Sequence, residues 1–240
     1  LEKDPGYLGR IRAIKDKGKR KAFESGDWDA IDQVDGALWT YAGLEGGRMV
    51  DHVYRHTVSI VERVVSVDPS DGDVEGDGYG VAVCAKGMDQ IGYVEASFDW
   101  RGVSIQTLAR QTIKLYYRTG ADCIVIEKNH GGKWLKGVFN LIVPTVPIRL
   151  VWASDGKRTR ARPISALMEP DRDRPKKQLY LARMVGFQPD LEEELCTTIF
   201  DGKEESPNML DAMVWGLHYL LIKHRQAQTM DLQDERLPGR

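Results

Sequence analysis

Four apolar residues in a row, Cys123-Ile124-Val125-Ile126, run directly into the carboxylate of Glu127. A run this short, without polar alternation, reads as a strand buried on both faces, the kind found in parallel sheets covered by helices. The chain is therefore expected to hold an α/β core in which Glu127 ends a central strand. Val64-Val65-Ser66-Val67-Asp68-Pro69 repeats the arrangement. Its β-branched residues favour a pleated backbone, and Pro69 cannot donate to a sheet ladder, so Asp68 ends the strand. Open α/β sheets place their chemistry at the carboxyl ends of strands. Taken singly, Asp68 reads better as the Asp of an Asp-Pro turn opener, and Glu127 reads equally well as a solvated strand end.

The rest of the chain fits around these two strands. The Asp68 strand, Tyr79–Ala85 and Gln90–Phe98 predict an antiparallel meander. Apolar residues at 105, 108, 109, 113 and 116 predict a helix over Val103–Tyr117. After the Glu127 strand, Gly131-Gly132 opens a helix through Asn140, Pro147–Trp152 is a strand, and Arg158–Met168 is a helix. Gln178–Ala182 reads as a short strand and Asp190–Thr198 as an acidic-faced helix. Ser206-Pro207-Asn208 starts a last helix, with Ser as N-cap and Pro at the first helical position. Its apolar stripe is Leu210, Met213, Val214, Leu217, Leu220 and Leu221. Upstream, Ala37–Tyr41 reads as a short strand in a separate preface, residues 1–56, to a domain at 57–225 with a polar tail at 226–240. The fold class is α/β: a mixed sheet, antiparallel meander followed by parallel strands, flanked by helices.

Composition narrows the functions. No apolar run reaches membrane-span length, and the basic N-terminus lacks a signal-peptide core. Cys84, Cys123 and Cys196 are far apart in apolar runs and read as small buried hydrophobes in a reducing, cytoplasmic setting. The net charge of -2 hides a pattern. Residues 1–22 and 157–177 each carry eight Lys/Arg against three Asp/Glu, whereas residues 68–77 carry five acids and no base. Acids between basic stretches suit a metal site acting on a polyanion.

If the Asp68 and Glu127 strands are neighbours, the two carboxylates face each other across about 5 Å. Burying both uncompensated would cost several kcal/mol each, and a divalent cation is the natural compensation. Asp211 adds a third carboxylate beside the apolar stripe of the last helix, where small Ala212 and Gly216 permit close approach to the sheet. Three carboxylates can hold one or two Mg²⁺ or Mn²⁺ ions. Two ions roughly 3.5–4 Å apart activate a water and stabilise the leaving oxygen in phosphodiester hydrolysis. Asp77 could reach a metal directly or through water. His130 and Asn129, in the loop after Glu127, and Lys157, Arg158, Arg160 and Arg162 are candidates for phosphate contacts with DNA. His218, about 10.5 Å along the helix from Asp211, is too far to share an ion with it.

Val-Asp-Pro-Ser at 67–70, Ile-Glu-Lys-Asn-His-Gly-Gly at 126–132 and Ser-Pro-Asn-Met-Leu-Asp-Ala at 206–212 resemble the nuclease domain of tailed-bacteriophage terminase large subunits, the DNA-packaging proteins. The resemblance covers residues 58–222, and Phe23–Trp28 and Gly36–Trp39 resemble the stretch that follows the family's ATPase domain. It implies an RNase H-like fold whose acidic triad maps onto Asp68, Glu127 and Asp211, with Asp68 bridging two metal ions. It implies an endodeoxyribonuclease that cuts concatemeric double-stranded DNA into genome lengths during viral genome packaging. No G-x-x-x-x-G-K-[ST] occurs in the chain, so no ATPase activity is expected of this fragment. The implied partners are double-stranded DNA, the ATPase domain of the same full-length protein, the small terminase subunit and the portal of the procapsid, in the host cytoplasm and without a membrane. The same triad would also serve a Holliday-junction resolvase or another RNase H-like nuclease. A non-catalytic module docking DNA or capsid is the rival outside enzymes.

Overall fold

The computed structural model describes residues 34, 36–69, 78–128, 132–152, 155–170, 176–182, 188–201 and 207–223. In chain order the elements are α1 (Tyr41–Glu45), β1 (Arg48–Met49), α2 (Asp51–Thr57), β2 (Ile60–Asp68), β3 (Tyr79–Gly87), β4 (Gly92–Trp100) and α3 (Ile105–Thr119). There follow β5 (Cys123–Glu127), α4 (Gly132–Ile142), β6 (Ile148–Val151), α5 (Lys157–Ser165), β7 (Leu179–Ala182), α6 (Pro189–Thr197) and α7 (Asn208–Leu217). Among the described residues the strands form one sheet in the spatial order β1-β7-β4-β3-β2-β5-β6. β2, β3 and β4 make the expected antiparallel meander, while β5 and β6 add in parallel beside β2, and β7 and β1 in parallel beside β4. Only β3 runs against the rest, so β2, β4, β5, β6 and β7 end at one pole of the sheet.

The pleat sorts the side chains into two cores. Val65, Val67, Val81, Val83, Ile124 and Ile126 face α3 and α4, packing on Leu108, Ala109, Leu135 and Phe139. The alternate residues Val64, Ala82, Cys84, Cys123 and Val125 face α7. That alternation puts Ser66 and Asp68 of β2, and Glu127 of β5, on the α7 side of the sheet.

α7 lies unusually close to the strands. A Cβ built on Gly80 would fall 1.7 Å from the Asn208 carbonyl oxygen, and one on Gly216 would fall 2.7 Å from Ser66 Oγ and 2.8 Å from Cys84 Sγ. Ser66 Oγ donates to the Ala212 carbonyl at 2.6 Å, fastening β2 to the helix. The expected one-sided stripe is in fact a helix buried all round, since every residue from Asn208 to Leu217 is buried. A π-helical turn, His218–Lys223, continues it.

Several local expectations are corrected. Ala37–Tyr41 is not a strand: the Thr40 side chain caps α1 by accepting from the Gly43 N–H at 3.0 Å, and Trp39 is buried in the main core. The described part of residues 1–56 is built into the sheet through β1 and this core. β4 starts at Gly92 rather than Gln90, because Asp89 Oδ1 accepts from the Ile91 N–H and Gln90 takes φ 64° in the hairpin turn. At the start of α7, Pro207 occupies the N-cap position and offers no side-chain cap. Ser206 lies outside the described residues. The missing acceptor comes from α6, where Glu194 Oε2 accepts from the Leu210 N–H at 2.9 Å.

One polar network braces the sheet from beneath. Glu95 is the extra residue of a bulge in β4, where Val83 pairs with Ala96 and Cys84 with Val94. Its carboxylate accepts from Arg63 Nε at 2.7 Å and Nη2 at 2.9 Å, and from the Tyr54 hydroxyl. The three cysteines are buried and are not joined in disulfides. Among the described residues no helix is long and apolar enough to cross a membrane.

Candidate active site

β2 and β5 pair in parallel with Val67 opposite Ile126, so the next residues, Asp68 and Glu127, stand side by side where both strands end. Asp211, one turn into α7, comes down on the same side. All three are buried, at 8%, 4% and 2% exposure. The anions feel one another strongly. Burial pushes the Asp68 carboxyl well above the usual carboxylate range; the Asp211 charge and Glu127 add to this, and Lys157 pulls back. Burial likewise raises Asp211, with Lys157 and Arg160 opposing the rise and Glu127 adding to it.

Two cations and an indole surround the triad. Lys157, the first residue of α5, places Nζ 2.6 Å from Asp211 Oδ2. A lysine in a helix's first turn is disfavoured by the dipole, so the carboxylate accounts for its position. Burial would lower the Lys157 ammonium, yet the Asp211 partnership holds it above its ordinary value. Arg160 is buried, with Nη2 4.0 Å from Asp211 Oδ1, Nη1 donating to the Asp155 carbonyl and the guanidinium 4.5 Å above the Trp215 ring. Trp215 Nε1 in turn donates to Glu127 Oε2 at 2.8 Å and fixes its orientation.

The other candidates divide clearly. Arg158 Nη1 donates to the carbonyls of Gly36 and Ile199, tying α5 to the two loops. Arg162 is exposed on the same helix. Asp77, Asn129 and His130 lie outside the described residues. Trp215, Ser66 and Gly80 were not singled out as site residues from sequence. The four-residue step from Asp211 to Trp215 was the available signal, since it puts both on one helical face.

The donor set fits a hard cation. The three side chains offer only carboxylate oxygens, the ligands of Mg²⁺ and Mn²⁺, and among the described residues they face one close ammonium and one more distant guanidinium. Burial, and after it the Asp211 charge, raises the Asp68 carboxyl, a cost that a bound cation would relieve. Among the described residues no three carboxylate, imidazole or thiol groups are grouped so as to hold an ion as they stand.

The comparisons with known proteins follow this geometry. A family model described as the terminase RNaseH-like domain matches residues 65–220. The nuclease domain of the large terminase subunit gp2 of bacterial virus Sf6 superposes with a TM-score of 0.57 at 16% identity, covering 76% of this chain and 98% of that one. A mutant of the same domain with manganese gives 0.53 at 14% identity over 76% and 99%. The large terminase nuclease of thermophilic phage G20c gives 0.51 at 12% identity over 76% and 98%. At such identities the likeness establishes the fold, which is RNase H-like. Curated protein sequences give no match. The family model spans well over half of the chain, including Asp68, Glu127 and Asp211, and the chain belongs to the terminase RNaseH-like domain family.

Proposed function

We propose that this chain is a metal-dependent endonuclease acting on double-stranded DNA, the cutting part of a viral packaging terminase that severs concatemers into genome lengths. The observation that supports the reading is three buried carboxylates, from two strand ends and one helix, on the same side of one pole of the sheet. Asp68, Glu127 and Asp211 would hold one or two Mg²⁺ or Mn²⁺ ions, with Asp68 shared between them; when bound, such ions activate water and stabilise a leaving 3′ oxygen. Manganese in the relative from Sf6 supports this choice of ion. Asp77 is a further ligand candidate.

The chain's own groups do the positioning. Trp215 fixes Glu127 from behind, and Arg160 stacks on Trp215 so that the indole cannot swing away. Lys157 neutralises Asp211 and, being 44% exposed, is also within reach of an incoming phosphate. Arg162, Asn129 and His130 are further phosphate candidates. Family membership further supports an ATPase domain in the full-length protein, with the small subunit and portal as packaging partners in the host cytoplasm.

The test is incubation of the chain with supercoiled plasmid in EDTA, Mg²⁺ or Mn²⁺, beside Asp68→Asn. Nicking and linearisation that require metal and vanish in the variant are expected. Cleavage by Asp68→Asn at the wild-type rate would refute the assignment.

A further inference from the structure

Beside the carboxylates, the same pole of the sheet carries two tryptophans in the open. Trp152 directly follows Val151, the last residue of edge strand β6, and Val151 pairs with Glu127. Its side chain is 61% exposed, and Lys128 Nζ sits 4.3 Å from its ring centroid. Lys128 itself directly follows Glu127. Trp134, also 61% exposed, lies in the first turn of α4, which leaves this same pole. Large apolar rings are costly to leave in water, and this pair is not needed by the core that Leu135 and Phe139 of α4 already fill.

The chemistry selects the occupant. An indole offers a flat face to stack on, and an ammonium held over it supplies positive charge for a phosphate. In the register of the sheet Trp152 follows the residue paired with Glu127, one strand away at the same pole. A base inside an intact duplex is stacked on both sides and presents no free face to an indole. Only an unpaired or unstacked base can be received there.

We propose that Trp152, backed by Lys128, is a stacking platform for an unpaired nucleobase beside the phosphate to be cut, with Trp134 extending the aromatic surface. This rests on the nuclease reading and adds to it: the DNA held at the site is locally opened. One stacked base contributes about 1–3 kcal/mol, so losing one ring should weaken binding of an unpaired strand by about tenfold.

The experiment measures fluorescence anisotropy of a labelled deoxythymidine oligonucleotide and of a labelled blunt duplex, titrated with the full 240-residue chain in EDTA so that nothing is cut. Wild type is expected to bind the single strand, Trp152→Ala to bind it about tenfold more weakly, and Trp152→Phe to stay within about threefold. Duplex binding should change less than twofold in all variants. Equal single-strand affinity of Trp152→Ala and wild type would overturn the proposal, as would a wild-type chain that binds only duplex. A chain binding neither would also overturn it and return the surface to a protein contact. Metal-dependent plasmid cleavage, run alongside, reports the nuclease reading separately.

Discussion

The seat of α7 on the sheet makes Gly80 a position from which the site can be disturbed without touching a carboxylate. Gly80 pairs with Asp68 across β2 and β3, and Asn208, the first residue of α7, presses onto it. In Gly80→Ala the new Cβ would begin 1.7 Å from the Asn208 carbonyl oxygen and 2.3 Å from its carbon, both backbone atoms that no rotamer change can move. Real Cβ contacts essentially never fall under 3.0 Å, so the helix must retreat by about 1.3 Å. Overpacking of this kind costs about 1–3 kcal/mol, and backbone against backbone belongs at the upper end. For a domain of this size that lowers the melting temperature by roughly 6–12 °C. Asp211 is three residues after Asn208 and is carried along. A displacement near 1 Å at a reacting group costs about 10²-fold in rate, so activity should fall further than stability. Circular-dichroism melting and single-turnover plasmid cleavage measure the two effects. Gly137→Ala is the matched control: its Cβ meets nothing within 4 Å, and the exchange should gain up to about 1 kcal/mol of helix propensity. A Gly80→Ala chain that melts and cuts like wild type would show that this contact does not position Asp211.

Other consequences follow from the same structure. Asp68→Asn should abolish metal binding in calorimetry yet raise the melting temperature of the metal-free chain, because burial and Asp211 penalise the charged form of Asp68. Excess Mn²⁺ should stabilise wild type more as pH rises, since the ion binds the charged form of Asp68 that burial disfavours, and should leave the variant unmoved. Burial raises Glu194 to about 7, so its contribution to stability is full below its ordinary value of 4.5 and is lost as pH rises through about 7. That loss amounts to at most about 3 kcal/mol, and Glu194→Gln should flatten the pH dependence of melting by the same amount. Glu95→Ala strands the half-buried Arg63 guanidinium and should cost about 3–5 kcal/mol in urea unfolding. Joint Arg63→Met/Glu95→Leu should recover most of that loss; a double variant as unstable as the single one would assign the loss to packing instead of charge.

Where the sequence was legible, one local rule acted alone. The β-branched runs and Pro69 placed Asp68 at the end of β2, and the apolar run placed Glu127 at the end of β5. Period-two alternation then puts both on one face. Ala37–Tyr41 misled because its aromatic residues favour a strand, while the Thr40 hydroxyl three residues before Gly43 favours a helix start, and the cap prevailed. The helix-opening signature at Ser206-Pro207 misplaced the cap for a different reason. The acceptor, Glu194, is sixteen residues before Leu210, and no local pattern marks it. The basic run at 157–162 looked uniform, yet helical geometry gives its members separate roles. Lys157 goes to Asp211, Arg158 to two loop carbonyls, Arg160 to Trp215, and Arg162 to solvent. Charge counts cannot see that division.

Asp68, Glu127 and Asp211 arrive from three elements separated by 59 and 84 residues of chain. β2 and β5 must close a long loop before two of the carboxylates meet, and α7 must dock before the third joins them. The triad is thus a set of late, nonlocal contacts, closed only after the entropy of those loops has been overcome. A polypeptide still emerging during synthesis, or one that ends before Asp211, would contain no complete cluster. On the proposed reading, hydrolytic competence would then report on folding itself, because only a molecule whose last buried helix has docked would hold all three carboxylates.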